Sequence, residues 1–339
     1  MKVAIQVILY HSSKHLAPLL ESLKAQTFRD FEIYFQENSL DADEAARCRD
    51  LITSSGLPAT FSISKTNTGF TAHNELFAQS TAPGVFVLND DTILDPECLG
   101  HLVKTMESDE TIASVTPLIF RVPRGTMRAP SVTDELEVDT AGHEYRLLSD
   151  IRDIGSGRKW GSVKSELARS GEVFGVAGTA ALYRRSAVLA VSPDATLYDP
   201  TFFMYKEDVD LDLRLRRGGW KTWRASDAIV FHARSISGKP SLTLSRLAQE
   251  RSRPPRLRRW TYRNTHHLYT YHWSPAIGAK DLFFGFFFEV MRSLGVFVAS
   301  PAVWFGGVSD LLHALPAAYR RRKKMEAMGL KHIRFIDLV

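Results

Sequence analysis

The feature that most limits the fold of this chain is a repeated exchange of strand-like and helix-like segments over residues 1–91. "KVAIQVILY" reads as a strand, "HLAPLLESLKAQ" carries apolar residues at helical spacing, and "FEIYFQENS" is a second strand. "TFSISKTNTGF" follows as a third strand with a turn, "TAHNELFAQS" as a helix and "VFVLNDD" as a fourth strand. Strands alternating with helices of about ten residues build parallel βαβ units, which predicts an α/β domain with a mostly parallel sheet. In such sheets ligands gather at the carboxyl ends of the strands. Three of these ends are polar here: Glu37-Asn38-Ser39, Asn67-Thr68-Gly69 and Asn89-Asp90-Asp91. The run Val85-Phe86-Val87-Leu88 has no polar alternation, as expected of a strand covered on both faces. Carboxylates placed directly behind it are unfavourable unless solvated, hydrogen-bonded or bound to a cation. A simple turn would satisfy them, but three polar ends on one sheet edge favour a site for a metal and a phosphate.

The 339 residues allow one large α/β domain with an appendage, or two domains, and a composition 44% hydrophobic and 24% charged is that of a globular protein. No GxGxxG follows the first strand and no GxxxxGK[ST] occurs, so dinucleotide-binding and P-loop classes lose their usual support. Cys48 and Cys98 form neither a metal spacing nor a disulfide framework, an expectation of a reducing compartment. The opening "MKVAIQVILY" reads as a first strand rather than a signal peptide.

Residues 116–172 read as loops with an extra hairpin, and "VFGVAGTAALYRR" as a small-residue strand or helix in a tight space. In "FFMYKEDVDLDLRLRRGGWKTW" two signals disagree. Val209, Leu211, Leu213 and Leu215 alternate like a strand. Yet acids lead, bases trail and Gly218-Gly219 follow, which matches a helix dipole and a glycine cap. Asp210–Arg214 and Asp212–Arg216 would be i,i+4 pairs, so a helix is predicted. At its start a carboxylate should have a lowered pKa, and Phe202-Phe203-Met204-Tyr205 should wall a pocket beside it. "DAIVFHARSIS" reads as a strand ending at His232.

The character changes after residue 240, dividing the chain into 1–240 and 241–339. The net charge of +5 is concentrated in "RLAQERSRPPRLRRWTYR" and "AYRRRKK", pointing to an anionic partner. No nucleic-acid-binding module accompanies these bases, so a membrane surface is expected rather than nucleic acid. The apolar stretch 282–312 is broken by Glu289, Arg292 and Pro301 and falls short of the roughly 20 residues of a spanning helix. An interfacial amphipathic hairpin over 281–312 is expected; a buried helical pair or a homo-oligomer interface is the alternative.

Taken in order, "LLESLKAQTFRDFEIYFQENS", "NTGFTAHNELFAQS", "VFVLNDDTIL", "GTAALYRR", "FFMYKEDVDLDLRLRRGGW", "IVFHARSIS" and "YRNTHHLY" resemble family 2 glycosyltransferases of the GT-A fold, in particular their rhamnosyltransferase-like branch. The resemblance runs from about residue 1 to residue 275. It implies a Rossmann-like sheet flanked by helices, with the C-terminal helical extension on a membrane. It also implies inverting transfer of a sugar from a dTDP- or UDP-linked donor, rhamnose being favoured, to a hydroxyl of a glycan or lipid-linked acceptor. Such a displacement needs charge stabilisation on the departing diphosphate and a base for the acceptor proton. By resemblance Asp91 ligates Mn²⁺ or Mg²⁺ with His232, while Asn89 and Asp90 contact the ribose or the metal's waters. Asp208 is the base and Glu207 its supporting or acceptor-binding neighbour. Glu37, where the family usually has Asp, and Asn38 face the nucleotide base; Asn67 and Gly69 belong to the donor loop, Gly69 allowing close backbone approach. Tyr205 and Arg263 flank the acceptor. The implied location is cytoplasmic, peripheral on the inner face of the cell membrane. A non-catalytic glycan-binding or scaffold protein of the same fold is the alternative, against which the retained Asp91, Glu207, Asp208 and His232 weigh.

Overall fold

The computed structural model describes residues 1–148, 150–233, 254–273 and 281–330. The basic linker before Pro254 and the part of "IVFHARSIS" after Ala233 lie outside the described residues.

Strands β1 (Val3–Leu9), β2 (Phe31–Glu37), β3 (Ala59–Ile63) and β4 (Gly84–Asn89) run parallel in the order β3-β2-β1-β4. Helices α1 (Leu16–Lys24), α2 (Ala42–Ser55) and α3 (His73–Gln79) connect them. Helix α2 lies in a stretch assigned no element above. Its local signals are Asp41, whose carboxylate accepts from the amides of Asp43 and Glu44, and Gly56, left-handed at φ 73°. As expected, β4 is covered on both faces: Phe86 and Leu88 join the core under α1, α2 and α4 (Cys98–Glu107), while Val85 and Val87 face the opposite core.

Beyond β4 the sheet becomes mixed, continuing β11-β6-β12-β10, with β5 (Thr92–Leu94) on β12 and β7 (Val138–Thr140) on β6. Strand β11 (Ala180–Arg184) is antiparallel to both β4 and β6 (Ile112–Arg121), whereas β6 and β12 (Lys221–His232) are parallel and β10 (Gly171–Val173) closes the edge. Residues 116–121, read above as irregular, are thus half of a buried central strand. Pro117 disguised it, because proline removes a ladder donor. The register shift between Ala225 and Ile229 lies opposite Pro117-Leu118. The expected extra hairpin is β8 (His143–Leu147) with β9 (Asp150–Asp153), followed by α5 (Trp160–Leu167).

After α6 (Arg185–Val191), residues 207–217 form helix α7 (Glu207–Arg217). It ends in a Schellman turn: Gly219 is left-handed at φ 79°, its amide donates to the Arg216 carbonyl and that of Trp220 to the Leu215 carbonyl. Nine of its 11 residues are buried, so the strand-like alternation arises from a helix enclosed on all sides. The Asp210–Arg214 pair forms at 2.8 Å. Asp212 and Arg216 do not pair; Asp212 turns to His143 and Arg216 to Glu172 and the Phe174 carbonyl.

Helices α8 (Pro255–His272), α9 (Phe286–Ala299) and α10 (Pro301–Ala327) follow, with α10 lying along α8. Leu268, Tyr271, Ala318, Met325 and Leu330 enter the same core as α7, so hydrophobic packing continues across the compositional boundary near residue 240. Helix α9 is different: Phe286 is 71% exposed, Val298 75%, and Glu289 is its buried residue. Among the described residues no helix is long and apolar enough to cross a membrane.

Candidate active site

At the carboxyl end of β4 the chain turns through Asp90-Asp91 into β5, which lies on β12 and brings Asp91 beside His232. Asp91 Oδ1 is 3.1 Å from His232 Nε2, and the Ala233 amide donates to the Asp91 carbonyl. The other ring nitrogen, Nδ1, lies 2.7 Å from Asp139 Oδ2, and Asp139 in turn accepts from Arg121 Nε at 2.7 Å. Burial alone would lower the His232 pKa, but Asp139 and Asp91 outweigh it and raise it to about 9. Burial would likewise raise Asp91, yet the hydrogen bond to His232 holds it below the usual carboxylate range. Asp139 fixes the orientation of the imidazole, and once its Nε2 proton is displaced His232 would present a nitrogen, beside the Asp91 carboxylate, to a divalent cation. Among the described residues no group of three metal-ligating side chains occurs. Two protein donors would suffice for a hard cation only if a ligand and water supplied its other oxygens.

Asp90 points away from this pair. It accepts from Ser12 Oγ, beyond β1, and lies 3.4 Å from His15 Nε2. Next to it the ends of β2 and β3 meet: Asn38 Nδ2 donates to Asn67 Oδ1 at 3.3 Å and to the Gly69 carbonyl at 3.1 Å. Glu37 is fully buried and both its carboxylate oxygens accept from the Ser39 amide. Gly69 is left-handed at φ 64°, and a Cβ there would lie 2.2 Å from the Phe203 carbonyl oxygen. Close approach is indeed required at Gly69, and its partner is the backbone of residue 203, to which the Phe70 amide donates.

That contact carries the argument to the start of α7. Phe203, Tyr205 and Lys206 all have positive φ, costly for non-glycine residues. Asn264 on α8 holds this bend, its fully buried amide donating to the carbonyls of Phe202, Met204 and Tyr205. Arg263 donates to the carbonyls of Thr201 and Phe202, so its guanidinium braces the same bend and is not among the cavity-lining groups. The bend delivers Tyr205, Lys206, Glu207 and Asp208 to one cavity of about 370 Å³, which Asn89, His232, Asp139, His143 and Asp153 also line. Loop 177–179 ties its two ends: the Asn89 amide donates to the Thr179 carbonyl, and the Gly178 amide donates to Asp208 Oδ2 at 3.1 Å. Asp208 is half-buried and accessible from the cavity, whereas Glu207 is buried and its Oε2 has no hydrogen-bond partner. Burial, and then the charge of Asp208, push Glu207 well above the ordinary carboxylate range. The lowered pKa expected at a helix start does not apply to Glu207, because desolvation exceeds the dipole's effect.

Asn89, Tyr205, Glu207, Asp208 and His232 therefore share one cavity, with Asp91 against its His232 wall, while Glu37, Asn38, Asn67, Gly69 and Asp90 cluster along the adjoining strand ends. Asp139, His143 and Asn264 were not among the expected site residues, because their partners His232, Asp212 and the carbonyls of residues 202–205 are distant in the chain.

The family model described as "Glycosyl transferase family 2" matches residues 5–191. Curated proteins gave no match by sequence. Among solved structures, GalNAc-T7 with UDP, GalNAc and Mn²⁺ superposes with a TM-score of 0.65 at 14% identity, covering 99% of this chain and 55% of that one. The chain thus spans just over half of that protein's length. The mannosyltransferase PcManGT from Pyrobaculum calidifontis, with GDP-Man and Mn²⁺, gives 0.53 at 13% identity, covering 98% and 86%. S. aureus TarS 1-349 with UDP-GlcNAc gives 0.52 at 16% identity, covering 96% and 91%.

Proposed function

The chain belongs to glycosyl transferase family 2 and is a glycosyltransferase of GT-A type; from that premise we propose that it moves a sugar from a nucleoside diphosphate to an acceptor hydroxyl by a metal-assisted inverting displacement in the cavity between His232 and Asp208. The observation that carries this reading is loop 177–179, which binds the end of β4 and the Asp208 carboxylate through neighbouring residues and so fixes both ends of one cavity. The nucleotide lies over Glu37, Asn38, Asn67, Gly69, Asn89 and Asp90. Asp91 and His232 hold Mn²⁺ or Mg²⁺, which when bound neutralises charge on the diphosphate. Asp208 accepts the acceptor's hydroxyl proton as that oxygen bonds to the anomeric carbon. The bond from that carbon to the diphosphate oxygen breaks, and the diphosphate leaves with the electron pair. Glu207, kept neutral by burial, leaves Asp208 as the carboxylate available to take the proton. Tyr205 sits on the acceptor side, and Arg263 acts there by bracing the bend.

The donor is a pyrimidine-nucleotide sugar, dTDP-rhamnose being favoured by motif resemblance; the relatives named above were solved with UDP or GDP ligands. The acceptor is a glycan, free or lipid-linked, met at an anionic membrane on the cytoplasmic side. Supporting this are the exposed phenylalanines of residues 283–288 and the exposed Arg320 and Lys323 of α10, since apolar groups and bases together suit an interface with anionic lipid.

Thermal stabilisation by a panel of UDP-, dTDP- and GDP-sugars with Mn²⁺, followed by hydrolysis and transfer assays, tests the proposal. Asp208→Asn should lose turnover while retaining nucleotide binding; unchanged turnover removes Asp208 as the base. Full-length protein staying unbound to anionic vesicles at both low and high salt would remove the membrane.

A further inference from the structure

The cavity contains a second carboxylate–imidazole pair that the proposed reaction leaves unused. His143, at the start of β8, holds its Nδ1 2.8 Å from Asp212 Oδ2, one turn beyond Asp208 on α7. Asp212 is fully buried and its other oxygen accepts from the Val176 amide at 3.1 Å. The surrounding backbone is shaped for this pair. A Cβ at Gly175 would lie 1.9 Å from Asp212 Oδ2, and Gly142, left-handed at φ 102°, packs against the Gly175 carbonyl. The His143 amide donates to that same carbonyl, and the His143 carbonyl accepts from the Phe174 amide. The backbone bonds hold residue 143 and Asp212 orients its ring through Nδ1, while Nε2, 3.7 Å from Asp153 Oδ1, is on the side of a residue that also lines the cavity.

We propose that His143, oriented by Asp212, is a sugar-positioning residue: its Nε2 hydrogen-bonds a hydroxyl of a sugar ring held in the cavity beside Asp208. The inference rests on that cavity being the site of transfer. Pure structural support would not call for an imidazole lining a polar cavity, since the Asp212 carboxylate already has the Val176 amide. The Asp212 carboxylate raises His143, against the opposing effect of burial, to about 9, so at neutral pH the ring has a proton to donate from Nε2. Donor and acceptor sugars are both sources of such a hydroxyl, and two assays separate them.

His143→Phe, His143→Gln and Asp212→Asn are compared with the wild type for UDP and dTDP binding with Mn²⁺, for nucleotide-sugar hydrolysis without acceptor, and for transfer to simple alkyl glycosides. Nucleotide binding should stay within about twofold, whereas His143→Phe should lose roughly ten- to a hundredfold in kcat/KM, the loss of one charge-assisted hydrogen bond. His143→Gln should recover part of the loss. Loss in both hydrolysis and transfer assigns the hydroxyl to the donor sugar; loss in transfer alone assigns it to the acceptor. Unchanged kinetics in His143→Phe, or nucleotide binding lost equally in the Phe and Gln variants, overturns the inference. A wild type stabilised by none of the UDP-, dTDP- and GDP-sugars overturns the reading of the cavity itself, and this inference falls with it.

Discussion

Helices α7 and α9 invert the usual relation between composition and burial. Helix α7, "EDVDLDLRLRR", is rich in charge and nearly enclosed; α9, "FFFEVMRSLGVFVA", is rich in phenylalanine and largely uncovered. The difference lies in partners. Asp210 is 2.8 Å from both Arg214 and His272, and Arg214 also reaches the Leu197 carbonyl at 3.1 Å. Asp210 thus meets Arg214, and Asp212 meets His143, the condition under which ions are tolerated inside a protein. On α9 the one buried side chain, Glu289, is an acid paired with Arg292, while Phe286, Phe287 and Val298 stay exposed. An enclosed polar helix can align catalytic carboxylates; an uncovered apolar one points to a surface outside the chain.

The contrast breaks most easily at Asp210. Removing one partner of a buried pair leaves an uncompensated charge, so Asp210→Asn should lower stability by about 3–5 kcal/mol in urea unfolding. A loss below about 1 kcal/mol would mean that α7 does not depend on its ion pairs. Gly175→Ala probes the packing around the neighbouring Asp212 and should lose about 1–3 kcal/mol, because the new methyl overlaps the Asp212 carboxylate.

Glu207 offers a sharper test, since its pKa is raised in the folded state. The native protein then holds a proton that the unfolded chain releases above its ordinary value near 4.5, so this group's contribution falls as pH rises from there towards the folded pKa. Glu207→Gln should melt higher than wild type at pH 8, and the gain should shrink by pH 4. An equal shift at both values would show that Glu207 is not held neutral. The smallest stability effect belongs to α9: Phe286→Ser with Phe287→Ser should change unfolding by less than about 0.5 kcal/mol per site, as surface substitutions do. The same pair should release the protein from anionic vesicles in sedimentation; a large drop in melting temperature would instead place α9 inside an interface of the folded protein.

Much of the scaffold is legible in the sequence, because it follows from local signals. The parallel half of the sheet follows from alternating segments, and α7 from its charge order and its two glycines. Asn89-Asp90-Asp91 stood out as polar residues ending an apolar strand. By contrast Pro117 hides β6, α2 has only its Asp41 cap and Gly56 to mark it, and the contacts of Arg263 with the carbonyls of Thr201 and Phe202 follow from no local pattern.

Sequence alone determined the parallel strands β1–β4, the helix α7 and the acids that follow β4, since period, capping and charge order act within a few residues. Only the tertiary structure decided that His143 meets Asp212, 69 residues away, that His232 meets Asp139, 93 residues away, and that Glu207 is enclosed while Asp208 is not. Those pairings, and the pKa values that follow from them, depend on desolvation and on charges brought together across the sheet, which no local pattern encodes.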